Sequence, residues 1–104
     1  MYGRLVEVEG VDPSKREEVL QSIRERIIPG LQEIDGFVGF ISLVDPENRR
    51  ARSVVLWETR ESADEAERQF KGRREELVSS MGATVRSADL YEAPIVEVHT
   101  GVRA

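Results

Sequence analysis

Cysteine is absent from this chain, which removes disulfides, thiol nucleophiles and thiolate metal sites at once. Histidine occurs once, at position 99, so a His-rich metal site cannot be assembled and none is expected. No run of about 18 apolar residues exists, the length a helix needs to cross a bilayer, so no membrane partner is expected. The first residues, Tyr2-Gly3-Arg4-Leu5-Val6, read as a strand and not as a charged region leading into an apolar core. A signal peptide is therefore not expected, and the expected location is the cytoplasm.

Positive charge is also in deficit. The net charge of -5 repels nucleic acid and anionic membranes, whose binding needs a cationic face. Two basic clusters, Arg49-Arg50-Ala51-Arg52 and Arg68 to Arg74, read as solvated surface, the second being interleaved with Glu67, Glu75 and Glu76. What remains is 39% hydrophobic and 34% charged residues in 104 positions, the balance of one globular domain spanning 1–104.

The periodicities give an element order. Leu5 to Glu9 alternates apolar and acidic residues, as a half-buried strand does. Asp12-Pro13 opens a helix, aspartate as cap and proline in the first turn, where its missing N–H costs nothing. Val19, Ile23, Ile27 and Leu31 then recur every four residues, with Leu20 and Ile28 beside them, as one apolar stripe. Pro29-Gly30 inside that stripe predicts a kink or an irregular last turn. Asp35-Gly36 turns the chain into Phe37–Val44, and Asp45-Pro46-Glu47-Asn48 turns it again into Ser53–Trp57, making a hairpin. Ser62-Ala63-Asp64-Glu65 fits a capping box for a second helix. Its stripe is Ala63, Ala66, Phe70, Leu77, Val78 and Met81, with expected i,i+4 pairs Asp64–Arg68 and Glu67–Lys71. Gly72 is a candidate interruption and Gly82 a stop. Thr84–Tyr91 and Ile95–His99 both read as strands.

This is a βαββαβ order, an α+β ferredoxin-like sandwich with two helices on one face of an antiparallel sheet. The hairpin is apolar on both faces: Phe37, Ile41 and Leu43 are assigned to one, Val38, Phe40 and Val44 to the other. One chain has no third layer to cover the second face. The expectation is a homodimer joined through the sheets, burying about six side chains at roughly 1.5–3 kcal/mol each. Glu7 and Glu9 make part of that face acidic, which places them at an interface rim or against arginines.

Pro29-Gly30-Leu31, Asp35-Gly36-Phe37-Val38-Gly39-Phe40, Leu56-Trp57-Glu58-Thr59 and Glu61-Ser62-Ala63 together resemble the antibiotic biosynthesis monooxygenase family of the dimeric α+β barrel superfamily, over residues 2 to 100. The resemblance implies back-to-back sheets, a pocket between sheet and helices, and O₂-dependent oxidation of polycyclic aromatic or quinol substrates without metal, flavin or other cofactor. A haem-degrading branch of that family uses an asparagine on the first strand and a tryptophan and histidine on the second helix. This chain has none of these at those places, so haem degradation is not expected.

Each candidate site residue has a plainer reading. Trp57 can stack on a flat ligand, and is more simply a core anchor. Phe70 and Phe37 can line a pocket, and are core by default. Arg4 shares a face with Val6 and Val8, where it can neutralise an anion or a carboxylate. His99 is the one side chain that ordinarily titrates near neutral pH and the only catalytic candidate, as a general base. Its plainer reading is an exposed or interface histidine. The leading expectation is a cofactor-independent monooxygenase-like protein acting on a small aromatic or quinol. The alternative is a non-catalytic dimer that binds a small ligand or serves a structural or stress role.

Overall fold

In the computed structural model, which describes residues 1–99, the alternating N-terminal run is strand β1 (Tyr2–Glu9). A helical run follows: a 3-10 turn (Pro13–Lys15), α1 (Arg16–Ser22), a π turn (Ile23–Ile27) and α2 (Ile28–Gln32). The hairpin β2 (Phe37–Asp45) and β3 (Arg50–Trp57), the long helix α3 (Arg60–Ser80) and β4 (Thr84–Glu92) complete it. The sheet is antiparallel throughout in the order β2-β3-β1-β4. Both helical layers pack on one face of it, where Val6, Val8, Val55 and Trp57 meet α3 and Leu31. The α+β ferredoxin-like sandwich read from the element order is the fold.

Local chemistry explains the boundaries. Asp12 caps the first turn, its Oδ1 accepting from the Ser14 N–H at 3.0 Å. These bonds favour the charged form, so the Asp12 carboxyl sits below its ordinary value. The second helix starts earlier than the expected Ser62 box. Thr59 is its cap, with Oγ1 accepting from the Ser62 N–H at 3.1 Å, because the extended Thr59 backbone already aims its hydroxyl at the open helix end. Gly72 does not interrupt α3, which runs unbroken to Ser80. Gly82 closes it at φ +69°, with Gly82 N–H donating to Ser79 O at 3.0 Å and Ala83 N–H to Val78 O at 3.2 Å. That paired closure needs a left-handed residue at the glycine position.

The irregularity expected at Pro29-Gly30 lies one turn earlier. Pro29 has no N–H for the carbonyl four residues back, and the ladder opens ahead of it: Ile28 N–H donates to Ile23 O, five residues back. In an α-helix, residues spaced strictly by four drift about 40° around the axis at each step. The wider π turn takes up this drift, so Val19, Ile23, Ile27 and Leu31 all stay on the sheet side.

Strand β2 corrects another expectation. Its pairing with β3 slips between Phe37 and Gly39, so Val38 is an extra residue and Phe37 changes face. Phe37 lies with Phe40 on the helix side, edge-on to Trp57 with ring centroids 5.7 Å apart. By alternation along the paired strands, the opposite face carries Leu5, Ile41, Leu43, Val54, Leu56 and Tyr91. Ile41, Leu43 and Tyr91 are exposed. Next to them, Glu7 pairs with Arg52 at 3.2 Å and Glu9 with Arg86 at 3.0 Å, the arginine pairing foreseen for these carboxylates. The i,i+4 pairs expected on α3 are replaced by Glu65–Arg68 and Glu67–Arg74. Residues 95–99 are not a strand: Ile95 is 84% and Val98 76% exposed, and Pro94 ahead of them cannot extend the β4 ladder.

Candidate functional site

The two helical layers meet the sheet differently. Helix α3 packs directly on β1, β3 and β4 and buries Ala63, Ala66, Phe70 and Val78. Two alanines toward its N-terminal end allow that close approach. In the first helical run, α1 and the π turn bury nothing, and α2 buries Leu31 alone. Its apolar stripe is nevertheless aimed at the sheet, and the space beneath is a cavity of about 290 Å³. Val19, Leu20, Ile23 and Ile27 form the roof; Val6, Val8, Phe40 and Val55 form part of the floor; Phe70, Arg74 and Leu77 of α3 form a side wall. The loop after β1 (Val11, Pro13) and the β2–β3 turn (Pro46, Arg49) form one end, tied together by the Val11 N–H to Arg49 O bond at 2.9 Å.

The first run is fastened at both ends. At Gly30, a Cβ would stand 2.7 Å from the Phe70 ring, so glycine is what lets the backbone rest on that side chain. At the other end Lys15 Nζ donates to Ser80 O at 2.9 Å. Between these points Val19 and Ile27 pack against the core clusters, while Leu20 and Ile23, also half-buried, border the cavity.

The cavity's polar lining comes mostly from the β2–β3 hairpin and its turn, with Asp45, Arg49, Arg50 and Arg52, and beside α3 from Arg4 and Arg74. Arg4 Nη1 donates to Ala88 O at 3.2 Å, and Nη2 lies 4.0 Å from Asp64 Oδ1. Arg74 grips Glu67 with two bonds, Nη1 to Oε1 at 2.7 Å and Nη2 to Oε2 at 3.0 Å. Burial pushes the Glu67 carboxyl up, but the Arg74 bonds and the charges of Arg74, Arg4 and Lys71 outweigh it and hold the carboxyl below its ordinary value. Arg74 Nε is buried and has no partner, alone in this among the side-chain polar atoms of the described residues.

The structure divides the residues singled out from the sequence. Phe70 and Arg4 reach the cavity wall. Trp57, 1% exposed, and Phe37 lie in the filled core beside it, with Val55, Ala63 and Ala66. His99 lies outside: its imidazole is 80% exposed and its nearest charged partner is Glu97 Oε1 at 3.7 Å. Arg74 was read as solvated surface. The signal that would have found it is phase: Glu67, Phe70, Arg74, Val78 and Met81 recur at three and four residues, on one face of α3.

No family model matches the sequence and no curated protein matches it. Solved structures do. The cofactor-independent oxygenase SnoaB from Streptomyces nogalater superposes with a TM-score of 0.66 at 17% identity, over 91% of this chain and 95% of that one. A monooxygenase from the gene ActVA-Orf6 of Streptomyces coelicolor, in complex with the ligand nanaomycin D, gives 0.65 at 15% identity over 94% and 92%. A dimeric ferredoxin-like protein from an uncultured marine organism gives 0.69 at 11% identity over 95% and 100%. The resemblance read from a handful of turn and strand-end residues thus extends to the backbone as a whole, and this chain has the fold of the antibiotic biosynthesis monooxygenases.

Proposed function

We propose that the cavity binds a small, flat, largely apolar molecule of the aromatic or quinol class, and that the protein acts on it as a cofactor-independent monooxygenase in a homodimer joined sheet to sheet. The observation that carries the reading is the half-buried stripe of the first helical run above the cavity. Leu31 is buried, but Val19, Leu20, Ile23 and Ile27 over the cavity are only half-buried, so their burial is completed by what enters the space. The likeness of fold to oxygenases supports the reaction class. The exposed Ile41, Leu43 and Tyr91 on the opposite sheet face support the dimer.

The lining contains no histidine and no tyrosine, and the single histidine is remote. Chemistry here therefore relies on a substrate electron-rich enough to react with O₂ itself, with the protein contributing binding, orientation and exclusion of water. The same observation favours a second reading, a ligand-binding module without chemistry. Oxygen uptake separates the two. With 1,4-dihydroxynaphthalene, uptake should exceed the rate without protein and fall when Ile23→Trp fills the cavity. Binding without added uptake would leave the module, and neither binding nor uptake would end both readings. Light scattering should give twice the chain mass at micromolar concentration, and half that for Leu43→Lys.

A further inference from the structure

The cavity is apolar along its length and carries unbalanced positive charge at one end. Its lining includes Arg4, Arg16, Arg49, Arg50, Arg52 and Arg74. Four of these face a carboxylate: Arg4 faces Asp64, Arg50 Asp45, Arg52 Glu7 and Arg74 Glu67. Arg16 and Arg49 form no salt bridge among the described residues. The carboxylates near them are engaged elsewhere, Asp45 with Asn48 and Arg50, and Asp12 with Ser14. Arg16 precedes Leu20 by four residues and Ile23 by seven, so it lies on the helix face that roofs the cavity. Arg49 comes to the same end from the β2–β3 turn, where its carbonyl accepts from the Val11 N–H at 2.9 Å. Its charge also reaches the start of the helical run. After the Ser14 hydrogen bonds, the charges of Lys15 and Arg49 help to hold the Asp12 carboxyl below its ordinary value. Arg49 is, moreover, the one non-glycine residue with a positive φ, +51°, among the described residues. Glycine takes that backbone without the cost a Cβ brings, so an arginine kept there points to work for its side chain.

We propose that the ligand of this cavity is an amphipathic acid: an apolar ring system lies beneath the roof, and a carboxylate on a short arm reaches the loop end, where Arg16 and Arg49 bind it. A guanidinium offers paired N–H donors that match the two oxygens of a carboxylate. Arg16 and Arg49 are exposed, so the carboxylate keeps part of its hydration and escapes the heavy desolvation cost of a buried ion. From Ile23 back to Arg16 the helix rises about 10 Å, a gap that a short saturated arm and the arginine side chain close together. The chain as a whole carries a net charge of -5 and repels acids, so the pair gives an anion one favoured point of approach. The arm also sets which end of the ring system enters first. This assignment rests on the cavity being a ligand site.

The test is calorimetric binding of a matched pair, 4-(2-naphthyl)butanoic acid and its primary amide, which have the same shape and differ in charge at neutral pH. At low ionic strength the unaltered protein should bind the acid about tenfold more tightly than the amide, the sum of two exposed charge contacts. Added salt should shrink that preference. Arg16→Gln and Arg49→Gly should each reduce it to about threefold, and the double variant should abolish it, with the amide bound alike by all four proteins. Arg49→Gly should also keep the midpoint of denaturant unfolding, because glycine accepts the left-handed backbone, which separates lost acid binding from lost fold. Equal binding of acid and amide by the unaltered protein, or a preference that survives the double variant, overturns the assignment while leaving the cavity as a ligand site. Failure of the unaltered protein to bind either compound overturns both.

Discussion

Two helical layers cover the same face of one sheet, and they do different work. Helix α3 lies down on the strands through alanines, Phe70 and Val78. The run from Pro13 to Gln32 also carries an apolar stripe, yet it is fastened at its ends and buries one residue. The difference lies less in hydrophobicity than in what sits at the contact points. Small side chains let α3 settle on the sheet, while Gly30 against Phe70 and Lys15 against Ser80 fix the height of the first run. Stability is therefore concentrated in one layer and space in the other.

That division can be broken, the largest effect first. Phe70→Ala removes a buried side chain from the layer that holds the fold and should cost about 3–5 kcal/mol in denaturant unfolding. Ile23→Ala in the roof, where the side chain is only half-buried, should cost clearly less than Phe70→Ala while weakening ligand binding. Equal costs would erase the distinction. Gly30→Val drives a side chain into the Phe70 ring and should cost about 1–3 kcal/mol, more than the same change at Gly72, where an added Cβ meets nothing within 4 Å. Thr59→Ala removes the α3 cap and should cost about 1 kcal/mol.

The smallest effect is with pH. The folded Glu67 carboxyl titrates below its ordinary value. Its contribution is then complete above the unfolded value near 4.5 and is lost as pH falls through the folded one. The stability gap between the unaltered protein and Glu67→Gln should be constant near neutral pH and close on acidification. A gap that widens on acidification would contradict the Arg74 clamp.

Much of this was legible in the sequence. The element order came from plain periodicity, and the fold followed because few topologies accommodate it. What was hidden depends on single residues. The face of Phe37 turns on one extra residue, Val38, since a strand's sides exchange at every step. The cap at Thr59 was obscured by a nearby serine that fits the same pattern. Ile95–His99 has strand composition but follows Pro94. The residue pattern did not show the cavity; only the family resemblance implied a pocket between sheet and helices. A stripe such as Val19, Ile23, Ile27 and Leu31 announces burial, and only the height at which Gly30 and Lys15 hold the helix determines what does the burying. Arg74 was hidden by its neighbours, because Arg73 beside it stays outside, over the Phe70 ring at 5.1 Å.

A roof held by its ends has a consequence for descent as well as for binding. Side chains along its middle are only half-buried, so replacements there are under weaker selection for stability than those in the buried core. Replacements in α3 are not. A lineage with this arrangement can exchange Leu20, Ile23 or Ile27 and reshape the cavity while keeping its backbone.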